Sequence, residues 1–329
     1  MNIVVALAFV GGLFLLGLAG GVPGMGWIFG VALPYAAVAL FLGGLIHKVM
    51  SWAKIPVPFR IPTTCGQQKS LPWIKHDSLE NPHNGMFTVA RMALEILLFR
   101  SLLRNTTSKL VDGRRLVYGT ELSLWLAAMA MHWSLLFILI RHIRLMVNPV
   151  PGFVTFVEMA DGFLEIGLPV FFATTVIFLV ALTFLLYRRL ASPQLRYISL
   201  VGDYVPLFLL LGIGVSGFFL RHLTKTDVPA IKELFLGLTH FSPVVPETIS
   251  PIFFGHLLLV CVLIAYLPFG KLMHMAGVFL SPTRNMANNN RAVRHINPWD
   301  YPVKLHPYDE YEDELREKMK GAGIPVERE

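Results

Sequence analysis

Six apolar runs, each about as long as a bilayer is thick, constrain this chain more than any other feature. They lie near residues 2–20, 27–47, 120–143, 166–187, 204–221 and 251–273. A helix needs roughly 20 apolar residues to cross the hydrocarbon core. Within lipid the backbone must satisfy its own hydrogen bonds, so such runs are read as membrane helices. The expected fold class is all-α integral membrane, with six transmembrane helices. Only 15% of the 329 residues are charged and 54% are hydrophobic, where a soluble domain carries about 25% charged residues. The first run is expected to be a retained anchor and not a cleaved signal. No Lys or Arg precedes Lys48, and Gly20-Gly21-Val22-Pro23-Gly24 makes a poor cleavage site.

The net charge of +7 does not point to nucleic acid. Basic residues are retained on the cytoplasmic side of membrane proteins, and here they cluster at alternate helix ends. Lys48, Lys54 and Arg60 follow the second run, and Arg114 and Arg115 precede the third. Arg188, Arg189 and Arg196 lie between the fourth and fifth, while Lys271, Arg284, Arg291 and Arg294 follow the sixth. The stretch from Leu145 to Glu165 has no Lys or Arg and carries Glu158, Asp161 and Glu165, so it is placed outside. Both termini are then cytoplasmic.

This pattern divides the chain into an N-terminal two-helix membrane anchor at 1–50, a cytoplasmic loop at 51–117, a four-helix domain at 118–280 and a polar cytoplasmic tail at 281–329. Within the loop, Met86 to Arg100 reads as an amphipathic helix for the membrane surface or a partner. In the tail, Tyr308 to Lys320 is a candidate short charged helix; disorder and docking to a soluble subunit are its competing readings.

Two cysteines, Cys65 and Cys261, cannot hold an iron–sulfur cluster, which needs about four thiolates. No CxxCH motif is present for covalent haem attachment. Cys261, inside an apolar run, reads as a small buried hydrophobe.

Histidine placement carries the chemistry. His132 and His142 lie ten residues apart on the third run, about 15 Å along the axis and roughly 80° around it. His256 and His274 bracket the last run eighteen residues apart, about 27 Å and on one side if the helix is continuous. Pro268 is positioned to bend it. Imidazole inside a bilayer is costly unless paired. Bis-histidine haem draws one axial ligand from each of two facing helices. Helices three and six are antiparallel, so depth pairs His142 with His256 and His132 with His274, as axial ligands of two haem b irons. Hydrogen-bonded packing histidines are the alternative. Zinc would need ligands packed within a few ångströms, and a proton relay would need acidic residues that the spans lack. Arg141, Arg144 and Arg221, near the outer ends, are candidate propionate contacts because guanidinium pairs with carboxylate; snorkelling competes with that reading. His222, beside Arg221, is a candidate propionate or quinone contact, while His47, His76, His83, His240, His295 and His306 lie outside the ligand set.

The histidine spacings, with Phe254-Gly255-His256-Leu257-Leu258-Leu259 and Leu267-Pro268-Phe269-Gly270-Lys271-Leu272-Met273-His274, resemble the gamma subunit of respiratory nitrate reductase. That family is a five-helix di-haem cytochrome b (NarI-like), and the likeness covers roughly residues 118–282. It implies the same four ligands in the same pairs. The extra N-terminal helix, the long loop and the polar tail look like the DsrM-type subunit of the DsrMKJOP complex linked to sulfite reduction. Membrane subunits of heterodisulfide reductase are similar too. The DsrM resemblance implies a cytoplasmic iron–sulfur partner resembling DsrK, a periplasmic multihaem cytochrome c, a periplasmic iron–sulfur subunit and a second membrane quinone subunit. The function then expected is an electron-transfer subunit that oxidises menaquinol and feeds a sulfur reduction, with no catalytic sulfur site of its own. A nitrate or heterodisulfide reductase-type complex is the alternative assignment. A haem-free transporter or anchor is the rival class.

Overall fold

The structure, a computed structural model, describes residues 2–55, 66–104, 106–162, 171–280, 285–294 and 305–327. Its helices are α1 (Asn2–Gly17), α2 (Leu33–Ala53), α3 (Gly85–Leu98), α4 (Leu122–His142), α5 (Gly152–Asp161), α6 (Ala173–Ala191), α7 (Pro193–Ile198), α8 (Val201–His222), α9 (Val228–Thr239), α10 (Pro251–Tyr266), α11 (His274–Leu280) and α12 (Tyr308–Gly321). A hairpin, β1 (Thr107–Val111) with β2 (Arg115–Gly119), precedes α4. Six stretches are long and apolar enough to cross a membrane: Asn2–Gly21, Ile28–Ala53, Leu122–Leu145, Ala173–Ala191, Val201–His222 and Pro251–Phe269. The chain is a multi-pass membrane protein.

The fourth span begins later than its apolar run suggests, at Ala173, and carries Arg188 and Arg189 inside its last turn. The start expected near residue 166 falls outside the described residues. The sixth differs more. Helix α10 ends at Tyr266, short tight turns follow at Leu267–Phe269 and Lys271–Met273, and Gly270 between them is extended (φ −107°, ψ −179°). Pro268 lacks the N–H that would continue the ladder and crowds the preceding turn. His274 therefore opens a new helix, and whole-turn counting from His256 does not apply.

Helix α10 is the hub. Phe253, Phe254, Gly255, Leu257, Leu258, Leu259 and Cys261 are all buried. Burial on every side marks a helix enclosed by others. It packs on α1, α2 and α8, whereas α4 packs on α6 and α6 on α8. Helix α4, which carries His132 and His142, and α10, which carries His256, have no extended packing of their own. Small residues let α1 in close: a Cβ on Gly17 would lie 2.6 Å from the Gly255 Cα. The N-terminal helices thus form part of the wall behind His256.

Six crossings put both termini and the α2–α4 connection on one side, hereafter the polar side. The contacts agree. The Asn2 amide donates to the Ser199 carbonyl (3.0 Å), and Arg188 pairs with Glu121 (2.5 Å) at the ends of α6 and α4. The connection and the tail are knitted together. The buried Asn288 donates to the Asn81 side chain and to the Pro82 carbonyl, both at 2.6 Å, and Gln68 reaches Asn288 and Asn290 at 3.0 and 3.1 Å. The amphipathic segment forms α3, capped by the Asn84 side chain on the Phe87 N–H. The indole N–H groups of Trp125 and Trp133 donate to the Leu98 and Leu97 carbonyls at 2.7 and 3.1 Å, so the end of α3 rests on α4. The hairpin turns through the three residues Asp112, Gly113 and Arg114, with Asp112 (φ 53°) and Gly113 (φ 66°) in the left-handed region.

Candidate haem-binding site

Each of the four candidate histidines is anchored through Nδ1. His132 donates to the Ala128 carbonyl (2.8 Å), His142 to Ile138 (2.7 Å) and His274 to Lys271 (3.0 Å), while His256 meets Ser216 Oγ at 2.9 Å. A carbonyl can only accept, so Nδ1 carries the proton and Nε2 keeps its lone pair. Among the described residues none of the four Nε2 atoms has a hydrogen-bond partner. An imidazole held this way is oriented as a ligand, with the second nitrogen fixing tautomer and ring direction. Anchoring alone is not specific, since His240 bonds its own helix identically (2.7 Å to Leu236).

Pairing adds the specificity. The rings of His132 and His274 have centres 6.1 Å apart with planes at 79°. An imidazole nitrogen sits roughly 2 Å from its metal and the ring centre about 1 Å beyond, so two rings on opposite faces of one ion have centres on the order of 6 Å apart. These two rings fit a shared iron. Of the two pairs expected from depth, His132 and His274 are brought into ring contact. No group of three or more His, Cys, Asp or Glu converges among the described residues.

The inner pair has an unexpected neighbour. Phe99, at the end of α3, places its ring edge-on to His132 with centres 4.9 Å apart. It does so from a left-handed backbone (φ 48°, ψ 45°), a conformation that costs a non-glycine residue of order 1 kcal/mol or more. Nothing in a single sequence marks Phe99 for this. Ser216, by contrast, is visible as a polar residue within an apolar span.

The three candidate arginines stand on the opposite side. Arg141, 8% exposed, lies 3.1 Å from Asp161 through Nε, without an in-line hydrogen bond there, and donates to Thr174 and Thr175 at 3.2 and 3.3 Å. Arg144 pairs with Glu158 at 2.7 Å. The guanidinium groups of Arg141 and Arg221 lie 3.8 and 4.5 Å from the Phe172 ring centre. His222 stacks on Phe171 (4.0 Å, 5°), with its Nδ1 buried and unbonded. Cys261 is buried in the apolar core; Cys65 and His295 fall outside the described residues.

Membrane helices facing one another with paired, anchored imidazoles define the class of membrane cytochrome b-like subunits. The nitrate reductase gamma subunit family matches residues 103–295. A Hdr-like menaquinol oxidoreductase cytochrome b-like subunit of Archaeoglobus fulgidus is 44% identical over 283 residues, 84% of either chain. Its namesake in Archaeoglobus profundus is 41% identical over 300 residues, 89% of this chain and 87% of that one. The chain belongs to the nitrate reductase gamma subunit family and, within it, to the Hdr-like menaquinol oxidoreductase cytochrome b-like subunits.

Proposed function

We propose that this chain is the membrane cytochrome b subunit of a quinol oxidoreductase complex. In this reading His142 with His256, and His132 with His274, are the axial ligands of two b haems, and electrons pass from menaquinol to a cytoplasmic iron–sulfur subunit. The observation that carries the reading is the His132–His274 pair, with centres 6.1 Å apart and both Nε2 atoms unbonded. The relatives' shared name, menaquinol oxidoreductase, supports the quinol substrate.

When bound, haem b supplies one-electron exchange at an iron shielded from water. The chain's residues supply the rest. The Nδ1 anchors hold each ring in one tautomer, and the apolar walls of α8 and α10 exclude water. Arg141, Arg144 and Arg221 provide a positive field for propionates, with Asp161 and Glu158 holding the first two in place.

The finer assignment is a DsrM-type subunit with a partner resembling the heterodisulfide reductase catalytic subunit, serving sulfur metabolism. A periplasmic multihaem cytochrome, a periplasmic iron–sulfur protein and a second membrane quinone subunit complete it. Placement of the polar side in the cytoplasm rests on its Lys and Arg excess. The knitted connection and tail there form the docking face, next to His274. Deletion beyond Asn285 should leave both haems reducible by a menaquinol analogue and abolish co-purification of the soluble subunit; a truncated chain that keeps its partner removes the tail from the interface.

The decisive experiment is a reduced-minus-oxidised spectrum of the purified chain with haem quantified against protein. About two low-spin haems per chain are expected. A chain without pigment would return it to the class of anchors or transporters.

A further inference from the structure

Three of the four anchored imidazoles use a carbonyl of their own helix or turn. His256 uses a side chain from another helix, the Oγ of Ser216 on α8 at 2.9 Å. The Ser216 hydroxyl proton is directed to the Gly212 carbonyl (2.6 Å), with Ile213 a longer second acceptor (3.2 Å). Its oxygen therefore presents a lone pair to the imidazole. The proton of this contact is then carried by Nδ1.

Self-satisfaction does not explain this arrangement. Ser134 shows the simpler case, a buried serine that among the described residues bonds only back to Ala130 and Met131, at 2.6 and 3.1 Å. Ser216, 5% exposed, makes the same back-bond and a second bond across helices. Its neighbour Gly217 keeps α8 flat against the same ring edge: a Cβ there would lie 3.3 Å from His256 Cε1 and 3.8 Å from Nδ1. Helix α8 thus meets His256 along its Nδ1–Cε1 edge.

We infer that Ser216 is a positioning residue for His256, fixing its tautomer and ring orientation and, by accepting the Nδ1–H, lowering the potential of the haem this histidine shares with His142. The inference rests on the proposed ligation. An acceptor at the distal nitrogen makes imidazole more basic toward a metal, and a more basic axial ligand stabilises the oxidised iron.

The test uses the full-length chain purified from membranes, with redox titration of each haem and electron paramagnetic resonance of the low-spin irons. Ser216→Ala removes the acceptor; Ser216→Thr keeps it. The expected result is an upward shift in Ser216→Ala of the one haem that His142→Ala lacks, no shift in the other, and return to the wild-type value in Ser216→Thr. Loss of that haem in Ser216→Ala with retention in Ser216→Thr supports the same role. An unchanged potential in Ser216→Ala, or the same change or loss in both variants, overturns it. A wild-type chain without haem overturns the ligation reading as well, and shows before any variant is made.

Discussion

His142 and His256 sit on unbroken helices, whereas His274 opens a new helix past a break and His132 is met by a ring from outside the membrane. His256 is held by helix packing: α8 clamps it at Ser216 and Gly217, and α1 closes on Gly255 from behind. The inner pair is assembled from connections. The turns at Leu267–Phe269 and Lys271–Met273 deliver His274, and Phe99, left-handed at the end of α3, covers His132. One site depends on side chains that lipid-spanning helices bring together, the other on where the polar layer meets the membrane. Perturbations of packing and of the polar layer should therefore fall on different histidine pairs.

The largest expected effect comes from the ligands. His142→Ala and His256→Ala should each remove the same haem, and His132→Ala and His274→Ala the other, read from haem content and midpoint titration. Variants of one pair that lose different haems would break the assignment by depth.

Next is Gly17→Leu. Its Cβ would lie 2.6 Å from the Gly255 Cα, a clash of backbone that no rotamer relieves, and overpacking of this kind costs about 1–3 kcal/mol. Thermal unfolding in micelles should drop, and the haem of His256 should be lost or shifted while that of His274 stays. An equal effect on both haems would erase the distinction between the sites.

Phe99→Gly sharpens the contrast from the other side. Glycine accepts the left-handed conformation freely, so stability should hold while only the inner haem changes its potential or its protection from water-soluble reductant. If only the outer haem responds, Phe99 does not guard the inner site.

The smallest effect concerns pH. The Arg188 guanidinium beside Glu121 holds its carboxyl below the ordinary value of 4.5. That contribution is fully present above about pH 4.5 and is lost as pH falls through the lowered folded value. Glu121→Gln should flatten the acid side of the melting-temperature profile without touching either haem spectrum.

Much of the molecule was legible before its structure. Span number follows from apolar length, and the meeting of His132 with His274 follows from spacing plus antiparallel direction. The break after Tyr266 was half legible, through Pro268 alone; the extended Gly270 completes it. The short helices α5 and α9 and the hairpin carry too few residues for periodicity to stand out. The contacts of Ser216 and Phe99 join residues far apart in sequence, and no single-chain pattern encodes them.

The bond between Asn81 and Asn288 spans 207 positions and has a consequence for biogenesis. Synthesis proceeds from the N-terminus, so residues 66–84 emerge before four of the six spans and wait for a tail that arrives only after α10 has crossed. The face on which another subunit would settle is thus completed by the last insertion event. A chain stalled with its later helices outside the bilayer would present an unfinished face, so assembly of the complex would itself act as quality control for membrane insertion.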